Sequence, residues 1–181
     1  MQGLDKLSPT RAAKIFELAW KYREVFEPVK PGKSTNVRPY PLKSGEDEEF
    51  VKDELKKLLK ENYIEKSVSS PYQAPILVVP KKGADGKTKK RLCLEYRSLN
   101  KITKRDGYNM PNLDESLRTG DAKLFTKIDL ASALWQVPVL PRDREKTAFS
   151  FQGEMLIWRV MPFGLTNAPA TFQRLMDIHF C

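Results

Sequence analysis

Apolar positions along this chain change their period twice, and the changes divide it into elements. Ala12, Ile15, Phe16, Ala19 and Tyr22 recur at helical spacing behind Ser8-Pro9, a serine suited to the N-cap with proline at the first helical position. Pro28, Pro31 and Gly32 end that unit, and residues 28–43 are expected as an extended linker. Ser44 with Asp47 three residues on has the form of a capping box. Behind it Val51, Leu55, Leu58 and Leu59 share one face of a surface helix of about four turns.

Further on, the short apolar run Ile-Leu-Val-Val within residues 75–80 predicts a buried strand. Residues 91–96 predict another, with Leu92, Leu94 and Tyr96 on one face. The polar KKGADGKTKK between them makes the pair a hairpin with a long basic tip. Residues 124–130 read as a strand in which Phe125, Lys127 and Asp129 share a face, followed by a candidate helix over residues 130–137. Residues 147–151 and 155–159 form a second hairpin around Gln152-Gly153. Asn167 is placed to cap a last helix that has Ala168-Pro169 in its first turn. Strands mixed with helices without regular alternation suggest an α+β fold.

Composition narrows the class. The 181 residues are 40% hydrophobic and 30% charged, which suits a folded chain. No stretch approaches the roughly 20 apolar residues that cross a bilayer, and Met1–Lys6 lacks the apolar run of a secretory signal. An intracellular, non-secreted location without membrane attachment is expected, and two cysteines, Cys93 and Cys181, agree with a reducing compartment. The single histidine, His179, argues against hydrolase triads and histidine-rich metal sites.

The net charge of +9 is concentrated: residues 81–105 hold ten Lys and Arg against Asp85 and Glu95. Charge alone leaves two readings open, a solvated face and a phosphate-contacting surface. Asp129 is open in the same way, because an aspartate between a strand and a helix serves as an N-cap or as a ligand for a hard cation.

Five blocks in order resolve the choice by resemblance. VRPYPL and then SSPYQAPILVVPKK, RLCLEYRSLNK, LFTKIDLASALWQV, KTAFSF and VMPFGLTNAPATFQRLM are similar to the fingers entry, motif A and motif B of gypsy-type LTR-retrotransposon reverse transcriptases, from about Val37 to Gln173. The resemblance implies an α+β architecture of fingers and partial palm of a right-hand polymerase. Residues 1–36 are set apart as the N-terminal helix and linker, and the resemblance implies the fingers and truncated palm over residues 37–181. The implied activity is RNA-directed DNA polymerisation by two-metal nucleotidyl transfer, with an RNA template, a DNA primer and a dNTP as partners.

Roles follow residue by residue from the resemblance. Asp129 matches the first catalytic aspartate, with the carbonyl of Leu130 completing the shell of a Mg²⁺ (or Mn²⁺) ion. Lys81 and Arg91 match the residues that grip the incoming triphosphate, a point charge and a bidentate fork. Ser132 and Ala133 would offer backbone N–H groups to the phosphates, and Leu134 stands where the family has its aromatic gate against a ribose 2′-OH. Phe163 matches the floor under the nascent pair, and Arg97, Asn100 and Gly164 match template-side positions.

This chain also departs from the pattern. Ser132-Ala133-Leu134-Trp135-Gln136 replaces the usual Ser-Gly-Tyr-His-Gln, Glu95 replaces an aspartate and Lys90 a tryptophan. By family spacing the Tyr-X-Asp-Asp turn falls past Cys181. The 181 residues alone are therefore expected to be catalytically incomplete, and the second hairpin to lack sheet partners. The alternative is a catalytically dead remnant that binds nucleic acid or a protein partner. A third reading is a degraded product without function.

Overall fold

The computed structural model describes residues 45–82, 88–110, 112, 123–124 and 129–180. The helix expected behind Ser8-Pro9, the linker over residues 28–43, Ser44 and most of the strand expected over residues 124–130 lie outside the described residues.

Helix α1 (Gly45–Lys60) forms as its spacing predicts, with Val51, Leu55 and Leu58 buried. Each such side chain contributes about 1.5–3 kcal/mol by leaving water. Glu46, Asp47 and Glu48 sit in the first turn and Lys57 and Lys60 in the last, the order the helix dipole favours. The helix ends in a Schellman arrangement. Asn62 takes a left-handed φ of 58°. The N–H of Tyr63 reaches the Leu58 carbonyl at 2.9 Å and that of Asn62 the Leu59 carbonyl at 3.1 Å.

The turn delivers the chain into β1 (Ile64–Ser67), a strand with no signature of its own. Next come β2 (Ile76–Lys82) and β3 (Thr88–Leu94), paired antiparallel from Ile76↔Leu94 to Lys82↔Thr88. The short helix α2 (Arg97–Ile102) follows directly. In the second half, β4 (Phe149–Phe151) and β5 (Glu154–Trp158) form the expected second hairpin. Its turn residues Gln152 and Gly153 have φ of 48° and 83°, the paired positive values of a type I′ turn.

That hairpin does not lack a sheet partner, contrary to expectation. The sheet order is β1-β5-β4, with β1 antiparallel to β5 in the register Ile64↔Trp158, and Lys66 joins Glu154 at 2.6 Å across the pair. On the far side, the N–H of Ala74 donates to the Ala148 carbonyl at 2.8 Å, and Ala74 bridges Phe149. The core lies between this sheet, α1 and the start of α3 (Ala168–Phe180), around Phe149, Leu156, Ile64 and Met161.

The helix expected over residues 130–137 shrinks to one 3₁₀ turn, Ala133–Gln136. Residues 137–139 then run beside 159–161, with Met161 N–H on the Val137 carbonyl and Val139 N–H on that of Arg159, both at 2.8 Å. These bonds explain the early ending, because the backbone is committed to a neighbouring segment.

Candidate nucleotide and nucleic-acid site

The β2–β3 hairpin, the segment after β5 and the 3₁₀ turn converge on a cavity of about 700 Å³. Lys81 and Arg91 stand on its hairpin side, and Phe163 and Gly164 on its other. Lys81 pairs in register with Lys89, and Arg91 with Val79. Alternation along a strand places Lys81 and Val79 on one face of β2, and Arg91 and Lys89 on the matching face of β3. The Arg91 guanidinium lies 5.3 Å from the centre of the Phe163 ring, within cation–π range. Both cations are exposed, as is Phe163 at 45%.

Gly164 sits at φ +93°, where side chains other than hydrogen are strained. A Cβ there would meet Tyr96 Cδ2 at 3.6 Å and the Leu94 carbonyl at 3.7 Å, ordinary contacts, so backbone conformation and not space calls for glycine. Tyr96 is buried and donates its hydroxyl to the Thr147 carbonyl at 3.0 Å. Burial pushes its pKa well above the ordinary tyrosine value, which keeps that donor protonated.

Asn100 is occupied with the same loop. Its amide donates to the Gly164 carbonyl at 2.8 Å and its oxygen accepts from the Thr166 N–H at 2.9 Å. Arg97 is largely exposed and pairs with Glu95 at 2.7 Å. That hydrogen bond holds the Glu95 carboxyl below the usual range. Asn167, expected as a helix cap, donates to the Lys104 carbonyl at 2.8 Å and accepts from the Asp106 N–H at 3.0 Å. Arg174 of α3 closes on both oxygens of Asp106 at 3.0 and 2.8 Å, and its guanidinium lies 4.4 Å from the centre of the Tyr108 ring. This clamp ties residues 104–108 to α3.

Asp129 is exposed and Leu130 half-buried, both outside regular secondary structure. Ser132 follows in the left-handed region, φ 49°, and its carbonyl accepts the Trp135 N–H at 2.8 Å. Asp129, Leu130, Ser132, Ala133 and Leu134 are not among the residues that line the cavity, and Leu134 packs against the core. Its neighbour Trp135 does line it, along with Trp158 and Leu58 of α1. From the sequence, Trp158 and Leu58 have no part in the site, since no local spacing marks them.

Among the described residues no group of three or more His, Cys, Asp or Glu stands together in a way that holds a metal ion. Asp129 and the Leu130 carbonyl by themselves do not fit a two-metal centre, which needs several carboxylates around its ions. Lys90, expected to join the basic surface, is instead drawn to α1. Its ammonium lies 2.8 Å from Asp47 and 3.7 Å from Glu46, and the hydrogen bond to Asp47 raises its pKa.

Comparison with known proteins identifies the family. Residues 79–181 match the family described as reverse transcriptase (RNA-dependent DNA polymerase). The chain is 44% identical over 143 residues to the retrovirus-related Pol polyprotein from transposon gypsy of Drosophila melanogaster, covering 77% of this chain and 14% of that protein. It is 43% identical to the corresponding polyprotein from transposon 297, and 38% identical over 151 residues to the enzymatic polyprotein of Cauliflower mosaic virus, covering 22% of the latter. It thus spans a quarter or less of these relatives. Foamy virus protease–reverse transcriptase structures share its fold. One, in complex with an RNA/DNA hybrid, gives a TM-score of 0.61 at 21% identity, covering 98% of this chain and 26% of that one. The chain belongs to the reverse transcriptase family, in its gypsy-type retrotransposon branch.

Proposed function

We propose that this chain supplies the nucleotide-gripping fingers and the adjoining palm floor of an RNA-directed DNA polymerase. One observation carries the reading: the hairpin register brings Lys81 and Arg91 to the same cavity as Phe163 and Gly164, although the two pairs are far apart in sequence. Lys81 and Arg91 hold the triphosphate of an incoming dNTP by charge-assisted hydrogen bonds. Phe163 and Gly164 form the floor, and the open φ of Gly164 lets a base approach the backbone. Asn100 acts through Gly164 by fixing its carbonyl. Arg97 stands on the template side.

The reaction class is nucleotidyl transfer from a dNTP to a DNA primer on an RNA template, in which a primer hydroxyl bonds to the α-phosphorus and pyrophosphate leaves. Reverse transcriptases work with divalent ions, and Asp129 with the Leu130 carbonyl is one ligand position for Mg²⁺ or Mn²⁺. Among the described residues these two groups do not complete a centre, and what those residues contribute is binding and orientation of the nucleotide.

Titration of the chain with a dNTP tests this. Lys81→Ala and Arg91→Ala are each expected to weaken binding about tenfold or more, the worth of a hydrogen bond to a charged group. Wild-type affinity in both variants would refute the assignment.

A further inference from the structure

We infer that Asp47 is a positioning residue for the nucleotide: through Lys90 it holds the outer part of the β2–β3 hairpin against α1 and so aims Arg91 at the cavity. The inference rests on the reading that Lys81 and Arg91 hold the phosphates. Strand β3 changes surroundings midway. Leu92 and Leu94 pack against the core, whereas residues 88–91 are exposed. Arg91 thus stands on a part of the hairpin that core packing does not hold. A cation on a loose support binds more weakly, because the ligand must order it first.

Lys90 ties this part to α1. Its ammonium reaches Asp47 at 2.8 Å and Glu46 at 3.7 Å. The Asp47 side chain is 14% exposed and that of Glu46 88%, so Asp47 is the firmer partner. Helix α1 is itself fixed by buried Val51, Leu55 and Leu58. Alternation along β3 sends Lys90 and Arg91 to opposite faces, Lys90 to α1 and Arg91 over the Phe163 ring. The two residues share a peptide unit, so the tie on one sets the direction of the other. Lys90 stands where the resembling family has tryptophan, and its attachment is made by charge in place of ring packing. The sign of the effect separates positioning from charge. Lys90 lines the cavity, so Asp47 is an acid close to a site for an anion. By charge alone its removal favours the ligand, whereas positioning requires the opposite.

Titration of the full chain with a dNTP is the test. Asp47→Asn is expected to weaken binding about three- to fivefold, and Asp47→Glu, which keeps the pair, to stay close to wild type. Glu46→Gln removes the same charge from the same helix end and is expected to change little. Asp47→Asn combined with Lys90→Met should bind no more weakly than Lys90→Met alone, because the two residues act as one unit. Unchanged or tighter binding in Asp47→Asn would overturn the inference, leaving the acid a mere neutraliser of Lys90. Equal loss in Glu46→Gln would also overturn it, by assigning the effect to the helix end, as would losses that add in the double variant. Binding indifferent to Lys81→Ala and Arg91→Ala would instead sink the phosphate reading and this inference with it. Should Asp47→Asn fail to fold, Lys90→Met is compared with Lys90→Arg, which retains the pair. Weaker binding in Lys90→Met is expected, and equal affinity in the two overturns the inference.

Discussion

Asn100 holds the carbonyl of Gly164 at 2.8 Å across 64 residues of sequence, and the Thr166 N–H at 2.9 Å with the other end of the same amide. One side chain thus fixes both sides of the turn that forms the cavity floor. Asn100→Ala leaves a backbone donor and a backbone acceptor unmatched, and is expected to cost about 1–2 kcal/mol in urea denaturation. Asn100→Asp keeps the acceptor for Thr166 and loses the donor, so its cost should be intermediate. An unchanged midpoint in both variants would mean that the loop holds itself.

Gly164 offers a companion test. Its φ of +93° penalises any Cβ, although the surrounding space would take one. Gly164→Ala should therefore destabilise by roughly 1–2 kcal/mol through the backbone alone. A neutral effect in thermal or urea unfolding would show that the loop relaxes.

The basic stretch should bind nucleic acid by counterion release, with unequal contributions from its residues. Each phosphate neutralised on duplex steepens the plot of log affinity against log salt by about 0.9. Lys81→Ala with Arg91→Ala should flatten the slope by nearly two such steps. Lys90→Ala should change it less, because Lys90 is held by Asp47 and Glu46. Equal flattening by Lys90→Ala in an anisotropy titration would show that this ion pair opens on binding.

Glu95 supplies a pH dependence. Its carboxyl is depressed below 4.5 by the hydrogen bond from Arg97. A depressed carboxylate stabilises the fold above its unfolded pKa and loses that contribution as pH falls through the folded value. The expected effect is small, under about 1 kcal/mol, because the Arg97 side chain is 76% exposed and solvent screens the pair. Stability measured from pH 6 down to pH 3 should fall slightly less in Glu95→Gln than in wild type. An identical fall would remove the pair from the balance.

Much of this architecture is legible in the residues. The spacing of Val51, Leu55 and Leu58 gives α1, and the turn residues around residues 152–153 give the second hairpin, because in both the signal is local. β1 is not legible: Ile-Glu-Lys-Ser has one buried apolar position, and only pairing with β5 makes it a strand. The basic run was visible as a count, but the ion pair that occupies Lys90 comes from acids over forty residues earlier. Leu134 and Trp135 divide similarly. They are adjacent in sequence, yet of the two only Trp135 lines the cavity, beside the rings of Trp158 and Phe163, which chain order does not reveal.

The β2–β3 hairpin and the loop at Phe163–Gly164 are expected to receive a nucleoside triphosphate together. Photo-crosslinking with a dNTP carrying an azide on its γ-phosphate, followed by peptide mapping, measures this most directly. The label should fall on β2 and β3 around Lys81 and Arg91 and disappear with excess unlabelled dNTP. Label concentrated on β1 or α3, or hairpin label that unlabelled nucleotide does not displace, would contradict the account.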